Sequence, residues 1–426
     1  MLIRNTVWSF GAQFVRLATA LVLIALLDPA ARGVQSLLIL LPTLLASLSL
    51  LGVSHATPVL LGRGIEQRRL LVNLVALGLI VVTVVMVGLI PLLPLAAHYL
   101  SGTYRVTTSD VLIGMLLLPP TLLGDYLRAL LSARRDLRQV AITQMVQAIA
   151  QLVVALVLVV GLRSGPMGAV WAAVLGAWLG FAWTVRAVWR IGSVWPSFDR
   201  DVLRPLLGLG LRGHVGNVVQ TFNYRLDALL VQGFVGQAAV GWYQTGVLLA
   251  EMVWYLPNAV SAALLPQVAA TNDGSATPRA VRHTLMLTCL AALALLALVW
   301  PGITLLRPAY LPALAPMAVL LIGVVALGVH KVLAGDLSGR GLPQYPSFTS
   351  TVALIVTISG DLLLIPRWGI VGAAWASTAA YTIQTLLLLR IYLRVAHVPW
   401  QTLLVPRRED WQLYRRLMLS GRSGLR

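Results

Sequence analysis

Gly165-Pro166-Met167-Gly168-Ala169-Val170-Trp171-Ala172 returns 204 residues later as Gly369-Ile370-Val371-Gly372-Ala373-Ala374-Trp375-Ala376. Each copy opens a long apolar run just after a short polar turn. Four more pairs match in the same order along the chain. Val15-Arg16-Leu17 pairs with Tyr224-Arg225-Leu226, Gly33 with Gly241, Val53-Ser54 with Val260-Ser261, and Leu131-Ser132 with Leu337-Ser338. The offset drifts only from 209 to 204 as loop lengths change. One apolar match is ordinary chance; an ordered series marks two related halves.

The composition says where such halves are dissolved. The 426 residues carry 32 basic and 14 acidic side chains, 11% charged against 58% hydrophobic, and the mean hydropathy is +0.85. A soluble chain carries roughly 25% charged residues, so a water-facing surface cannot be covered and a soluble enzyme is excluded. A membrane span takes about 20 apolar residues. Such stretches fall at about 5–27, 34–56, 70–94, 110–132, 140–161 and 166–189, then at about 207–233, 238–269, 283–306, 313–337, 347–366 and 370–393. Lipid tolerates no open strand edge, so all twelve are expected to be helices. The fold class is all-α integral membrane, in two six-helix halves at 1–195 and 196–396 with a basic tail at 397–426. Six is even, so the halves enter and leave on the same side. They are parallel repeats about a pseudo-two-fold along the membrane normal, a build in which substrate sits between halves that rock.

With the N-terminus in the cytoplasm, the inward connections collect most of the arginines, among them Arg63, Arg68, Arg69, Arg134, Arg135, Arg138, Arg200 and Arg204. The outward ones hold Arg32, Arg105, Arg163, Arg307 and Arg367. That asymmetry obeys the positive-inside rule with both termini inside. The net charge of +18 is therefore read by its location, and no nucleic-acid partner is implied. The tail interleaves Trp411, Tyr414, Arg415 and Arg416, a pattern that suits an anionic inner leaflet. Arg4, Arg16 and the run that follows imitate a signal peptide, but the same segment recurs mid-chain, so it is expected to be a retained helix. The lone Cys289 and six scattered histidines offer no metal site and no disulfide. No cofactor is implied beyond a coupling H+ or Na+.

Ionisable groups at membrane depth are costly and usually mark function. Arg16 and Arg225 are repeat-equivalent and fall near the middle of the first helix of each half, so a two-fold turns them toward one central space. His214, Asn217, Thr221, Arg225 and Gln232 share one face of helix seven. Asn5, Ser9, Arg16 and Thr19 do the same on helix one, and Gln244, Glu251, Tyr255 and Asn258 on helix eight. Three polar stripes on apolar helices describe a wet cavity in which two guanidinium groups hold an anion. The competing reading pairs each arginine with Asp227 or Glu251 and leaves it to fix helix packing. Lys331, the only lysine, aligns with Asp125 in the repeat and is a further cavity candidate. Asp227, Glu251 and Asp361 are candidates for ion coupling. Asp125 and Arg128, at i and i+3, are placed to neutralise each other. Pro119-Pro120 is expected to interrupt helix four, and Gly176 with Gly180 to pack closely on a neighbouring helix.

Several segments resemble one family. Asn223-Tyr224-Arg225-Leu226-Asp227 followed by Val240-Gly241-Trp242-Tyr243 is similar to the motif that opens the second half of polysaccharide-repeat-unit flippases. Leu364-Ile365-Pro366 with Gly369, Gly372, Ala373, Trp375 and Ser377 resembles their turn between helices eleven and twelve, and Leu27-Asp28-Pro29 with Gly33 their first turn. Asp28 stands where Gly is usual, and Asp361 where Asn is common. The resemblance covers essentially the whole chain and points to the multidrug/oligosaccharidyl-lipid/polysaccharide superfamily, in its Wzx-like branch. It implies a MATE-like, V-shaped pair of six-helix bundles in a bacterial inner membrane. It also implies a polyprenyl-pyrophosphate-linked glycan as substrate, contacts to membrane lipids, and other polysaccharide-assembly membrane proteins as partners. A peptidoglycan-precursor flippase is expected to have fourteen helices. A drug/cation antiporter of the superfamily is expected to have an acidic cavity. A glycan-polymerising membrane enzyme needs a sizeable outward catalytic loop. The longest outward connection here, at about 95–109, carries only His98, Tyr104 and Arg105, and no nucleophile–base constellation accompanies it.

Overall fold

The computed structural model describes residues 2–192, 195–271, 273–405, 407 and 410, with side chains described for all of these except 2–7, 9, 10, 212 and 213. In chain order the helices are α1 (Leu2–Leu26), α2 (Pro29–Gly62), α3 (Gln67–Leu100), α4 (Thr108–Ala133), α5 (Leu137–Gly161), α6 (Gly165–Trp189), α7 (Arg200–Phe234), α8 (Gln237–Thr271), α9 (Thr277–Leu306) and α10 (Pro308–Gly339). A last stretch, Gln344–Ala396, holds two helices parted at Gly369, α11 (residues 344–368) and α12 (residues 370–396), and a short α13 (Trp400–Leu404) follows. Among the described residues nine of these stretches are long and apolar enough to cross a membrane. With α1, α7 and the division of the last stretch, the expected twelve helices are present. The chain is a multi-pass membrane protein. The tail residues Trp411, Tyr414, Arg415 and Arg416 lie outside the described residues, as do the side chains of Asn5 and Ser9.

The repeated motif does the same work in both copies. Gly369 has φ 56° and ψ −135°, a conformation that breaks the helix between α11 and α12 and that only glycine adopts without strain. Gly165, its counterpart before α6, has φ 60°. The second glycine of each motif lets the chain double back. A Cβ on Gly372 would lie 2.3 Å from the Leu364 carbonyl oxygen, and one on Gly168 would lie 2.9 Å from Ser164 Cβ.

Packing divides the chain into two compact units, Met1–Gln244 and Thr245–Arg426. That boundary falls inside α8, whereas the sequence repeat divides the chain near residue 195. The first unit has its core where α3, α4, α6 and α7 meet, with Leu70, Leu71, Leu118, Leu122, Tyr126, Leu130 and Leu206 fully buried. α2 is not one continuous rod. Leu51 (φ 48°) and Gly52 (φ 70°) interrupt it, and the interruption lets the α7 backbone come close: a Cβ on Gly210 would lie 2.3 Å from the Leu51 carbonyl oxygen. The break releases carbonyls that a buried helix cannot leave unsatisfied. Tyr126 donates its hydroxyl to the Ser49 oxygen at 2.8 Å, and His214 Nε2 lies 2.9 Å from the Leu48 oxygen. Gly176 and Gly180 of α6 pack on α5 as expected, since a Cβ on either would lie 2.9 Å from the Cβ of Gln151 or Gln147. α4 restarts at Leu118 with Pro119 in its first turn.

In the second unit Val281, Val332, Leu333, Leu337, Leu388 and Tyr392 form the core between α9, α10 and α12. The buried Asp336 ties these helices together, accepting from Thr277, from Arg340 and, at 3.3 Å, from Tyr392. The chain after α12 is docked here too. Leu403 is fully buried, and Asp410 accepts from Arg282 Nε at 2.7 Å and from its terminal nitrogen at 3.0 Å. Arg282 also donates to the Thr402 oxygen at 2.6 Å. The forked bond from Arg282 holds the Asp410 carboxyl down at about 2.

Candidate binding cavity

The first unit contains a cavity of about 330 Å³ bounded by α1, α2, α5, α7 and the start of α8. Three arginines from three helices reach it: Arg16 of α1, Arg32 of α2 and Arg225 of α7. Thr19, Gln35, Ser36, Thr43, Gln151 and Gln244 complete its polar wall, and Leu23, Ile39 and Leu40 its apolar one. No Asp or Glu is among the described lining residues. Arg16 Nε donates to Gln13 Oε1 at 3.2 Å, and Arg32 donates to Gln35 one turn along α2. These glutamines help orient the guanidinium groups. A guanidinium stays protonated at every accessible pH. Three guanidinium groups facing one space offer donors that match an anion's oxygens in parallel pairs.

Two glycines set how closely the walls meet. A Cβ on Gly33 would lie 1.9 Å from the Gln237 carbonyl oxygen, and one on Gly241 would lie 1.8 Å from that of Pro29. The start of α2 and the start of α8 thus touch backbone to backbone. Gly33 and Gly241 are the pair aligned in the sequence repeat, and here they touch each other. Arg16 and Arg225, another aligned pair, share the cavity alongside.

The same end is closed by side-chain bonds. Gln237 accepts from the Tyr104 amide at 2.7 Å and donates to the carbonyls of Leu100 and Tyr104 at 2.6 and 2.8 Å. Asp28 caps α2 by accepting from the amides of Ala30 and Ala31 at 2.9 and 3.0 Å. It also accepts the Tyr104 hydroxyl at 2.7 Å. Burial pushes the Asp28 carboxyl up, but the bonds from Tyr104 and the two amides outweigh it and leave it below the ordinary value. Tyr104 is raised by the same bond.

Arg16 and Arg225, which the repeat singled out, therefore line one cavity. The sequence places Arg32 in the first outward connection; in the structure α2 begins at Pro29, so Arg32 stands in its first turn, buried and facing the cavity. The helix start was signalled by Asp28-Pro29, an N-cap acid followed by proline. The rest of the α7 stripe is engaged elsewhere. His214 serves the α2 break, Asn217 lies 3.0 Å from the His55 ring, Thr221 donates to the Asn217 oxygen, and Gln232 donates to the Tyr99 oxygen at 3.0 Å. Asp227 is buried and accepts from Tyr243 and the Ala228 amide. Glu251, Tyr255, Lys331 and Asp361 belong to the second unit. There Lys331 Nζ lies 4.8 Å from the Trp254 ring centroid, and Asp361 is fully buried. Asp125 and Arg128 neutralise each other at 2.7 Å, as their spacing implies. Among the described residues no group of three or more His, Cys, Asp or Glu is placed to hold a metal.

Residues 22–305 match the model of a family described as polysaccharide biosynthesis protein. The chain is similar to a membrane protein of Methanocaldococcus jannaschii, Uncharacterized membrane protein MJ1375, with 22% identity over 47% of this chain and 48% of that one. The chain spans about half the length, or less, of the curated relatives it matches. Among solved structures it is similar to the lipid II flippase MurJ in an inward closed conformation, with a TM-score of 0.78 and 16% identity, covering 94% of this chain and 89% of that one. It is also similar to an inward-facing multidrug resistance transporter of the MATE family, with a TM-score of 0.73 and 13% identity, covering 90% and 95%.

Proposed function

The chain belongs to the polysaccharide biosynthesis protein family, and from that premise we propose that it flips a polyprenyl-pyrophosphate-linked oligosaccharide from the inner to the outer leaflet of a bacterial cell membrane. Its fold is that of flippases and transporters of the multidrug/oligosaccharidyl-lipid/polysaccharide superfamily. The observation that carries the choice of substrate is the convergence of Arg16, Arg32 and Arg225 on one cavity with no carboxylate in its lining. A pyrophosphate cannot cross hydrocarbon bare, and bidentate guanidinium–phosphate bonds replace part of its hydration. Translocation proceeds by alternating access, with the glycan-bearing head in the cavity and the polyprenyl tail left in lipid. Asp227, Glu251 and Asp361 are the candidate acids for coupling to H+ or Na+.

The test is ligand-dependent stabilisation of the purified protein. A ligand at 100 times its Kd adds about 2.7 kcal/mol of apparent stability. An undecaprenyl-pyrophosphate glycan and an organic cation are compared in the wild type and in Arg16→Ala, Arg32→Ala and Arg225→Ala. A shift with the lipid pyrophosphate alone, lost in the three variants, supports both the substrate and its site. A shift with the cation alone overturns the reading in favour of a drug/cation antiporter. A lipid shift that survives all three variants returns the arginines to helix packing.

A further inference from the structure

The last turns of α6 carry a second basic concavity, separate from the cavity of Arg16, Arg32 and Arg225. Arg186 and Arg190 stand one turn apart on one face of α6 and, with Val185 and Trp189, line a depression of about 380 Å³. No carboxylate is among its described lining residues. Arg186 sits 5.9 Å from the centroid of the Trp183 ring, and Trp189 is 63% exposed. Arg68 brings a third arginine to this end of the helix: a Cβ on Gly192 would lie 3.0 Å from Arg68 Cγ. Asp199, in the connection to α7, is already engaged by Arg69.

We propose that this depression is a binding site for the head group of an anionic phospholipid. α6 is a 25-residue apolar helix, so its last turns emerge at the level of the lipid phosphates. Tryptophan settles at that level, and basic pockets beside membrane helices hold anionic head groups. The two guanidinium forks grip the phosphodiester, which a guanidinium matches with two parallel bonds. Val185 and Trp189 receive the glycerol and the first methylenes. Arginines scattered on a positive-inside surface attract anionic lipid without a wall or a fixed geometry, and the experiment separates that diffuse attraction from a built site.

The full chain is purified in neutral detergent, delipidated and unfolded by heat with phosphatidylglycerol, phosphatidylcholine or inorganic phosphate. Native mass spectrometry counts the lipids retained. Phosphatidylglycerol is expected to raise the Tm and remain bound, and the other two are expected to do neither. Arg186→Gln/Arg190→Gln loses the shift, while Arg134→Gln/Arg135→Gln, which removes the same charge from another turn, keeps it. Arg186→Lys and Arg190→Lys, which fold with their charge intact, each lower lipid retention several-fold. The proposal is overturned by an equal shift with phosphatidylcholine or with inorganic phosphate. It is overturned as well by a shift that survives the Arg186/Arg190 double variant, or by equal losses in the two arginine pairs.

Discussion

Gly33 and Gly241 hold the two wall helices of the cavity in backbone contact, and a single methyl group tests that contact. A Cβ at Gly33 would meet a carbonyl oxygen at 1.9 Å, and backbone cannot yield as a side-chain tip can. Gly33→Ala is therefore expected to cost about 1–3 kcal/mol through forced backbone displacement. Thermal unfolding of the purified variant measures it, and an unchanged Tm would show that α2 and α8 part freely. Gly62, with nothing within 4 Å of its Cβ position, is the control, and Gly62→Ala should be neutral. At this scale the site was partly legible in the sequence. Arg16 and Arg225 were found because the repeat makes them equivalent. Arg32 was passed over because it lies outside the hydrophobic run that begins near residue 34, although the Asp28-Pro29 cap announces a helix that includes it. His214 shares a face with Arg225, but in the structure its ring lies 2.9 Å from a carbonyl at the break in a different helix. Nothing local to residue 214 encodes that.

The twelve helices were legible because each needs about 20 apolar residues and the chain has little else to offer. The interruption of α2 was not, since the apolar run resumes directly after Ser49 and Gly52 and a short polar or glycine residue is common inside a membrane helix. Its support comes from far along the chain, from Tyr126 and His214. Tyr126→Phe removes the donor to the Ser49 oxygen and leaves a buried acceptor unmet, at a cost of about 1–3 kcal/mol. Thermal unfolding reads the loss, and a Tm equal to wild type would mean that the α2 break needs no bond from α4. The docked segment after α12 depends on charge instead. Asp410 is about 2 in the folded protein against an ordinary 3.8, so its carboxylate stabilises the fold. That contribution is complete above pH 3.8 and is lost as the pH falls toward 2. The difference is worth about 2 kcal/mol. In unfolding measured across this window, Asp410→Asn should lower stability at pH 7 by that amount. It should also flatten the acid side of the profile. A variant profile parallel to wild type would assign the acid sensitivity to other carboxyls.

For the whole molecule the decisive quantity is the mismatch between the cavity and the proposed substrate. A cavity of about 330 Å³ is at the small end of what encloses a drug-sized ligand. It accommodates a diphosphate and an adjoining sugar, not an oligosaccharide with a polyprenyl chain. Recognition should therefore rest on the feature common to all such substrates, the diphosphate charge, with chain length and sugar identity contributing little. Inorganic pyrophosphate, which carries that feature alone, is then expected to compete with the lipid-linked substrate. An organic cation is expected not to compete. Competition should weaken as ionic strength rises, because salt screens charges that water reaches. In Arg32→Gln the apparent affinity for pyrophosphate should drop by roughly tenfold, since a hydrogen bond to a charged group is worth about 1.5–3 kcal/mol. Displacement of a fluorescent lipid-pyrophosphate analogue from the purified protein and from the variant, run over a salt series, reads all four. If pyrophosphate fails to displace the analogue at any salt concentration while a short glycan succeeds, recognition lies in the sugar. The three arginines would then be serving the packing of α1, α2 and α7.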